Sequence, residues 1–276
     1  FIFEGCRYYP SMVMRDFTFS NLGLSCTEIM GNAVPGALTW YIEMESLSEK
    51  YTIDKQLYTV LKSKEKFNVD VKNKDIQLKF QDLEYYISMD ETVVFGVFED
   101  EMRLLDSISR GELSSDLTEG NYLVIAHRIK MGTGDRQRIC IGLGSRSNDC
   151  CRKAISVGED LQNIIEDRWN RWFNTLPRLP FNDDREKKAY YKSWWVIKTN
   201  YYDHPEWGFC ITEALPVYKG IWQWAMPSVE WHSGQNTEYT SQWIKKAMDM
   251  LIDNQREDGY ITHTIYVDEE IPGERW

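Results

Sequence analysis

The spacing of apolar residues changes along this chain, and that change constrains the fold more than any other feature. Up to about residue 150 apolar and polar residues tend to alternate, and from about residue 152 apolar residues recur every three or four positions. A period of two is typical of a half-buried strand, and a period near 3.6 is typical of a helix. Strands followed by helices, rather than a mixture of the two, indicate separate domains. We therefore predict a two-domain chain, β then α, with a β-sandwich at 1–150, a helical linker at 151–182 and helices joined by long loops at 183–276.

Strand-like segments in the first domain are rich in β-branched and aromatic residues. They cover residues 37–45, 76–89, 92–98, 122–131 and 138–144. Turn-forming residues separate them, and "MGTGDR" at 131–136 predicts a hairpin between the last two. Many short strands with turns between them favour an antiparallel β-sandwich. Within this domain, residues 99–113 predict one short helix, and His127 is expected to be a structural residue of its strand.

The second part of the chain has helix patterns and helix boundaries. One predicted helix face carries Leu161, Ile164, Ile165, Trp169, Trp172 and Phe173. Two prolines in 176–184 end that helix, and Asn182 or Asp183 is expected to cap the next one. Residues 201–222 read as a long irregular segment, and residues 237–255 as the clearest helix of the chain.

Charge and composition exclude several classes of partner. The net charge is -11, so phosphate backbones and anionic membrane surfaces should be repelled. The sequence has no apolar run long enough to span a membrane. Six cysteines lack metal-site spacing, and no nucleotide-binding glycine motif is present, so we expect reduced thiols, no metal and no cofactor.

The ends of the sequence favour a fragment of a longer protein. The chain starts at Phe1 without a signal-peptide pattern, which favours a cytoplasmic protein, although a truncated start leaves a signal peptide possible. It stops at Trp276 just after a turn, so both ends look cut.

Residues 201–233 combine aromatic rings with carboxylates and histidines. The candidate ligand-binding side chains in this segment are Tyr218, Trp222, Trp224, Glu230 and His232. Ring faces can stack on a sugar while charged groups bond its hydroxyls, so a carbohydrate site is one interpretation. Core packing is the other, because flat aromatic rings also bury well in an ordinary core.

Four motifs in order resemble the opening of the catalytic domain of six-hairpin (α/α)6-barrel glycoside hydrolases. They are "RWNRWFNTLP" (168–177), "KKAYYKSWWVIKTNYY" (187–202), "YKGIWQWA" (218–225) and "DNQREDGYITHTIY" (253–266). The resemblance is nearest to the processing α-glucosidase and mannosylglycerate hydrolase group, with amylo-α-1,6-glucosidases further off. It implies a connector, the first barrel helix, the start of the second helix and the close of the first hairpin. The preceding β-sandwich is consistent with the same group.

The resemblance also implies a sugar subsite. Tyr218 and Trp224 match a tyrosine and a tryptophan that line the terminal-sugar subsite in that group, and His263 lies where relatives approach the pocket. The group's aspartate after that tryptophan is replaced by Ala225, whose methyl group forms no hydrogen bond. Either the specificity differs, or Glu230 or His232 supplies the missing bond, or activity is lost.

The reaction implied by the resemblance is inverting, exo-acting hydrolysis of an α-glycoside or related oligosaccharide. Its acid and base come from later hairpins, so they are expected beyond Trp276, and these 276 residues alone are expected to be inactive. The rest of the barrel is then a required partner, in the same or another chain. A non-catalytic carbohydrate-binding or scaffold protein, or a lyase or phosphorylase on the same barrel, remain the alternatives.

Overall fold

The structure, a computed structural model, describes residues 2–48, 52–91, 93–113, 117–204, 208–211, 220–222, 238–261 and 264–266. For residues 201–204, 208–211, 220–222, 238–240, 243 and 264–266 it describes the backbone alone. The chain divides into two compact units, Phe1–Arg168 and Trp169–Trp276.

Ten strands form one antiparallel sheet in the first unit. In chain order they are β1 (Ile2–Tyr9), β2 (Met12–Phe19), β3 (Leu24–Val34), β4 (Ala37–Ser46), β5 (Ile53–Lys72), β6 (Asp75–Lys79), β7 (Glu84–Met89), β8 (Val94–Phe98), β9 (Glu119–Met131) and β10 (Arg136–Gly144). Their order across the sheet is β1-β2-β3-β4-β10-β7-β6-β5-β9-β8. Four of the five predicted strands, at 37–45, 92–98, 122–131 and 138–144, are therefore confirmed as β4, β8, β9 and β10.

The sheet folds over on itself to form a sandwich-like domain. Leu24, Ile42 and Met44 from β3 and β4 belong to the same buried cluster as Ile53 of β5 and Ile129 of β9. These strands lie far apart in the order of the sheet, so its two halves must face each other for their side chains to share one core. The predicted antiparallel β-sandwich is confirmed.

Two of the predicted local connections differ from the structure. Residues 76–89, predicted as one strand, are the paired strands β6 and β7, closed by a bond from the backbone N–H of Phe80 to the carbonyl of Leu83. The predicted hairpin at 131–136 is wrong as a strand pair, because β9 pairs with β5 and β8 while β10 pairs with β4 and β7. Its turn is held by Asp135, whose Oδ2 accepts from the Gly132 N–H at 2.6 Å. The turn thus carries the chain between partners in different parts of the sheet.

Helix α1 (Glu101–Arg110) confirms the short helix predicted within 99–113. The Asp100 carboxylate accepts from the Arg103 N–H, and Gly111 ends the helix with φ 71°, a left-handed conformation that glycine adopts without strain. Leu104 of this helix packs with Phe98 and Val124 of β8 and β9 in a second buried cluster.

Helix α2 (Asn148–Ser156) and the first part of helix α3 (Leu161–Phe173) pack on the face of the sheet that points away from the shared core, α2 against β3, β4 and β10 and α3 against β3. Thr39 of β4 donates from its hydroxyl to the Ala154 carbonyl at 3.0 Å. A Cβ on Gly142 would lie 2.2 Å from the Cys151 carbonyl oxygen, so α2 approaches β10 at a distance that only glycine allows.

The described part of the second unit contains helices and two antiparallel pairs of short strands. Its elements are α4 (Asp184–Thr199), β11 (Tyr201–His204), β12 (Gly208–Ile211), β13 (Gly220–Trp222), α5 (Glu238–Asp253) and β14 (Thr264–Tyr266). Asp183 caps α4 by accepting from the N–H groups of Arg185 and Glu186, as predicted. The predicted helix at 237–255 corresponds to α5.

The predicted helix start at 218–225 is wrong at the residues that the structure describes. Gly220–Trp222 form strand β13, which pairs antiparallel with β14, and the next described helix begins at Glu238. Ile221 and Trp222 are β-branched and aromatic, and such side chains favour a strand once a partner strand is present. The segment read as irregular also contains the antiparallel pair β11 and β12.

The close approach of α2 to Gly142 predicts that one added methyl group at this position strongly lowers the stability of the fold. Gly142→Ala should lower the free energy of unfolding by about 3 kcal/mol, because the methyl meets helix backbone that cannot rotate away. Gly5→Ala is the matched control, since a Cβ there has no atom within 4 Å. Chemical denaturation of both variants measures the difference, and equal stabilities would contradict the packing described.

Candidate functional site

Most of the side chains predicted to bind a sugar lie outside the described residues. This holds for Tyr218, Trp224, Glu230, His232 and His263, and also for Ala225. Trp222 is described by its backbone, as the last residue of β13. Their use as a sugar site therefore stays a prediction.

The pairing of β13 with β14 is the described feature nearest to these positions. Gly220 pairs with Tyr266, Ile221 with Ile265 and Trp222 with Thr264. Strand partners lie about 5 Å apart, so the pairing brings two distant parts of the sequence together. Each part contains predicted binding residues, and both flank the same two-stranded ladder.

An aromatic cluster joins α3 and α4 within the second unit. The Trp172 ring centroid lies 5.6 Å from that of Trp169 and 6.3 Å from that of Trp194, both in edge-to-face geometry. The Lys198 ammonium lies 4.1 Å from the Trp172 ring centroid and 5.0 Å from that of Trp169. Cation–π contacts and ring packing of this kind stabilise the helix pair. Because the three tryptophans are buried, they are core residues and not a ligand platform.

His127 is a buried histidine on β9, as its strand position predicted. Its Nε2 lies 3.5 Å from the Thr59 hydroxyl, and its Nδ1 has no hydrogen-bond partner among the described residues. Burial lowers the pKa of His127 to about 4, so the imidazole is neutral at pH 7. With 1% exposure it has no access to a substrate, and its role is structural.

Three of the described cysteines also lack the chemistry of a nucleophile at pH 7. Burial raises the pKa of Cys26 and of Cys151 to about 11 and that of Cys140 to about 12. A thiol with such a pKa is protonated at pH 7 and reacts slowly. The five cysteine side chains that the structure describes are free thiols.

Asp90 is a partly buried carboxylate between β7 and β8. Burial raises its pKa, while hydrogen bonds from backbone N–H groups oppose that change. Its Oδ2 accepts from the Cys140 N–H at 3.0 Å, so the carboxylate ties the end of β7 to β10. The role of Asp90 shown by this hydrogen bond is structural.

A cavity of about 450 Å³ opens between the two halves of the sandwich. Its walls come from β2, β3 and β4 on one side and from β5 and β9 on the other. Arg15 Nε lies 2.6 Å from Glu28 Oε2, and the Trp40 Nε1–H donates to Glu28 Oε1 at 2.6 Å. The sequence pattern does not predict this cavity, because residues 12–28 carry polar and aromatic residues in a mixed order.

The described part of the chain contains neither a metal-binding cluster nor a membrane-spanning helix. No group of three or more histidine, cysteine, aspartate or glutamate side chains is arranged there to hold a metal ion. None of the described helices combines the length and the apolar character needed to cross a bilayer.

The lowered pKa of His127 predicts a specific pH dependence of stability. Below about pH 6.5 the unfolded chain takes up a proton that the folded chain excludes until about pH 4, so stability is lost as the pH falls through this window. His127→Leu removes the titrating imidazole. Between pH 7 and pH 4 the free energy of unfolding of the wild type should therefore fall by about 3 kcal/mol more than that of the variant. Denaturant titrations of both proteins across that range measure the difference. If the free energies of unfolding of the two proteins changed equally with pH, the pKa of His127 would not be lowered in the folded protein.

Comparison with known proteins gave distant structural similarity and no sequence match. No family model matches the sequence, and no curated protein matches it. Similar solved structures include a human-microbiome protein named as a kojibiose phosphorylase, with 11% identity, a TM-score of 0.49, and coverage of 72% of this chain and 28% of that one. A family GH92 inverting mannosidase from Bacteroides thetaiotaomicron VPI-5482 has 10% identity, a TM-score of 0.46, and coverage of 94% and 36%. A family GH92 α-mannosidase from Bacteroides thetaiotaomicron has 8% identity, a TM-score of 0.45, and coverage of 95% and 38%.

The chain spans between 28% and 38% of the length of these three proteins. At 8–11% identity and TM-scores below 0.5, the similarity is too distant for an inference about activity.

Proposed function

We propose that this chain is the N-terminal part of a glycoside hydrolase, carrying the β-sandwich and the first hairpin of an (α/α)6 barrel. The observation that carries the proposal is the pairing of β13 with β14, which joins the two sequence regions that hold the predicted sugar-binding residues. A binding site assembled from distant sequence segments needs contacts that bring the segments together. The pairing of β13 with β14 is such a contact, and each strand is adjacent in sequence to one of the two regions.

The order of elements supports the proposal. A β-sandwich comes first, then α3 and α4 packed through aromatic rings, then β13, α5 and β14. This is the order that the four motifs imply, with one difference: Gly220–Trp222 of the third motif form a strand and not a turn of helix.

In the proposed subsite Tyr218 and Trp224 are the walls on which the terminal sugar stacks. Trp222, Glu230, His232 and His263 supply the remaining contacts. Ala225 leaves the position of a hydrogen-bonding carboxylate empty of polar atoms, so Glu230 or His232 bonds the sugar hydroxyls instead.

The proposed reaction is hydrolysis of an α-glycoside from its end, with inversion at the anomeric carbon. A carboxylic acid protonates the leaving oxygen, and a carboxylate about 6.5–9.5 Å away activates the attacking water. We assign neither role to a residue of this chain, and we place both groups in the later part of the barrel. The 276 residues alone should bind without turning over.

The test is an assay of the full-length protein that contains this chain, with α-glucosides and rhamnosides as substrates. Proton NMR of the first product identifies inversion or retention. Release of the terminal sugar only in the presence of phosphate would identify a phosphorylase. An unsaturated product that absorbs in the ultraviolet would identify a lyase. Binding without turnover by an intact protein would identify the non-catalytic alternative, which Ala225 favours.

Substitution of the stacking residues gives a more specific prediction. Tyr218→Ala and Trp224→Ala in the full-length protein should each lower kcat/KM by about tenfold or more, because a lost ring face removes apolar contact with the sugar. Tyr8→Ala is the matched control, since Tyr8 is 72% exposed on β1 and should leave kcat/KM unchanged. An equal effect of all three variants would contradict the subsite.

Ala225→Asp gives an independent prediction for the same subsite. A carboxylate at 225 should lower KM for a substrate with free hydroxyls on its terminal sugar by about fivefold, through charge-assisted hydrogen bonds. Ala225→Asn separates hydrogen bonding from charge and should give a smaller decrease. Steady-state kinetics of the two variants measure both, and an unchanged KM would show that residue 225 does not contact the sugar.

A further inference from the structure

The two halves of the sandwich separate at one end of the shared core. Around β9 and β10 the core is closed, and Leu123, Ile125 and Ile141 are 0% exposed. At the other end Phe19, Trp40 and Leu57 pack against the same core but stay partly exposed. These large apolar side chains point between the layers without being covered by them. The exposed inner surface has the character of a ligand pocket and not of an ordinary protein surface.

The cavity at this end has the size and lining of a small-molecule site. Its volume of about 450 Å³ lies within the range of about 300–1,000 Å³ that is usual for ligand pockets. Most of its wall is aliphatic or aromatic, with Phe17, Ile42 and Leu57 among the lining residues. Few groups there could bond the many hydroxyls of a sugar, so the wall favours an alkyl chain.

The charged residues of the lining are two cations and one anion. Arg15 and Lys55 are positive, and Glu28 is negative. Both oxygens of Glu28 are engaged, one by Arg15 Nε at 2.6 Å and the other by the Trp40 Nε1–H. Arg15 therefore keeps N–H donors that no described carboxylate engages, and Lys55 is exposed on β5. On a chain of net charge -11, this is a local site for an anion.

We infer that the cavity between the sandwich layers binds a single-chain amphipathic carboxylate, such as a free fatty acid. The alkyl chain lies along the apolar wall, where its burial contributes about 0.8 kcal/mol per methylene group. The carboxylate lies at the opening, between the guanidinium of Arg15 and the ammonium of Lys55. This inference concerns the first unit alone, and it does not depend on the proposed glycosidase activity.

Sodium decanoate is the probe for the first experiment, with isothermal titration calorimetry of the full chain. Decanol and decyltrimethylammonium have the same chain length with a neutral and a cationic head group. We expect saturable one-to-one binding of decanoate, with decanol at least threefold and decyltrimethylammonium at least tenfold weaker. No saturable binding of decanoate, or equal binding of all three, would overturn the inference.

A pair of charge-reversal variants tests the position of the head group. Lys55→Glu should weaken decanoate binding at least fivefold, because it replaces an attractive charge at the opening with a repulsive one. Lys64→Glu is the matched control: Lys64 is exposed on the same strand, does not line the cavity, and changes the net charge equally. The affinity of the Lys64→Glu variant for decanoate should lie within twofold of the wild-type affinity. An equal loss in both variants would show a general charge effect and overturn the site.

Occupation of the cavity itself is tested by filling it. Leu57→Trp places a larger side chain on the wall and should abolish decanoate binding, with folding checked by circular dichroism. Cys26 also lines the cavity, so at an alkaline pH that ionises part of this thiol, bound decanoate should slow alkylation of Cys26 by iodoacetamide at least threefold in the wild type. Unchanged alkylation at a saturating decanoate concentration would place the ligand elsewhere, even if the Leu57→Trp variant does not fold.

Discussion

The shared apolar core between the two halves of one sheet is the contact on which the first unit depends. Ile76, Leu123, Ile125, Ile139 and Ile141 are all 0% exposed, although they come from three strands, β6, β9 and β10, that are not neighbours in the sheet. Burial of such side chains stabilises by about 1.5–3 kcal/mol each, so the sheet has to fold over to cover them. The sandwich, the crossing turn after β9 and the outer positions of the helices all follow from that closure.

Burial also makes several ionisable groups of the first unit unreactive. His127 is buried on β9, the thiols of Cys140 and Cys151 are buried where α2 packs on the sheet, and burial shifts the pKa of each group so that the neutral form is present at pH 7. Groups in that state stabilise packing and do not exchange protons or attack substrates at pH 7. The inner surface is accessible to a ligand only in the cavity where the layers separate, which Arg15 and Lys55 line among the described residues.

The second unit is organised by different contacts. Aromatic rings of α3 and α4 and the ammonium of Lys198 hold that helix pair, and the ladder of β13 and β14 joins positions that are distant in sequence. The proposed sugar subsite uses neighbouring positions of this unit, and the proposed fatty-acid cavity lies wholly in the other. The two proposals therefore succeed or fail independently.

The sequence by itself determined the local structure. The change of period separated strands from helices, and short-range chemistry located helix boundaries such as the Asp183 cap, because these signals depend on residues a few positions apart. The tertiary structure alone decided which strands are partners. β9 and β10 look like a hairpin in sequence, yet each pairs elsewhere, because ladder bonds form wherever both halves of the sheet can bury their apolar faces. Gly220–Trp222 likewise became a strand through its partner β14, and the cavity beside Trp40 exists through the separation of two layers that no local pattern encodes.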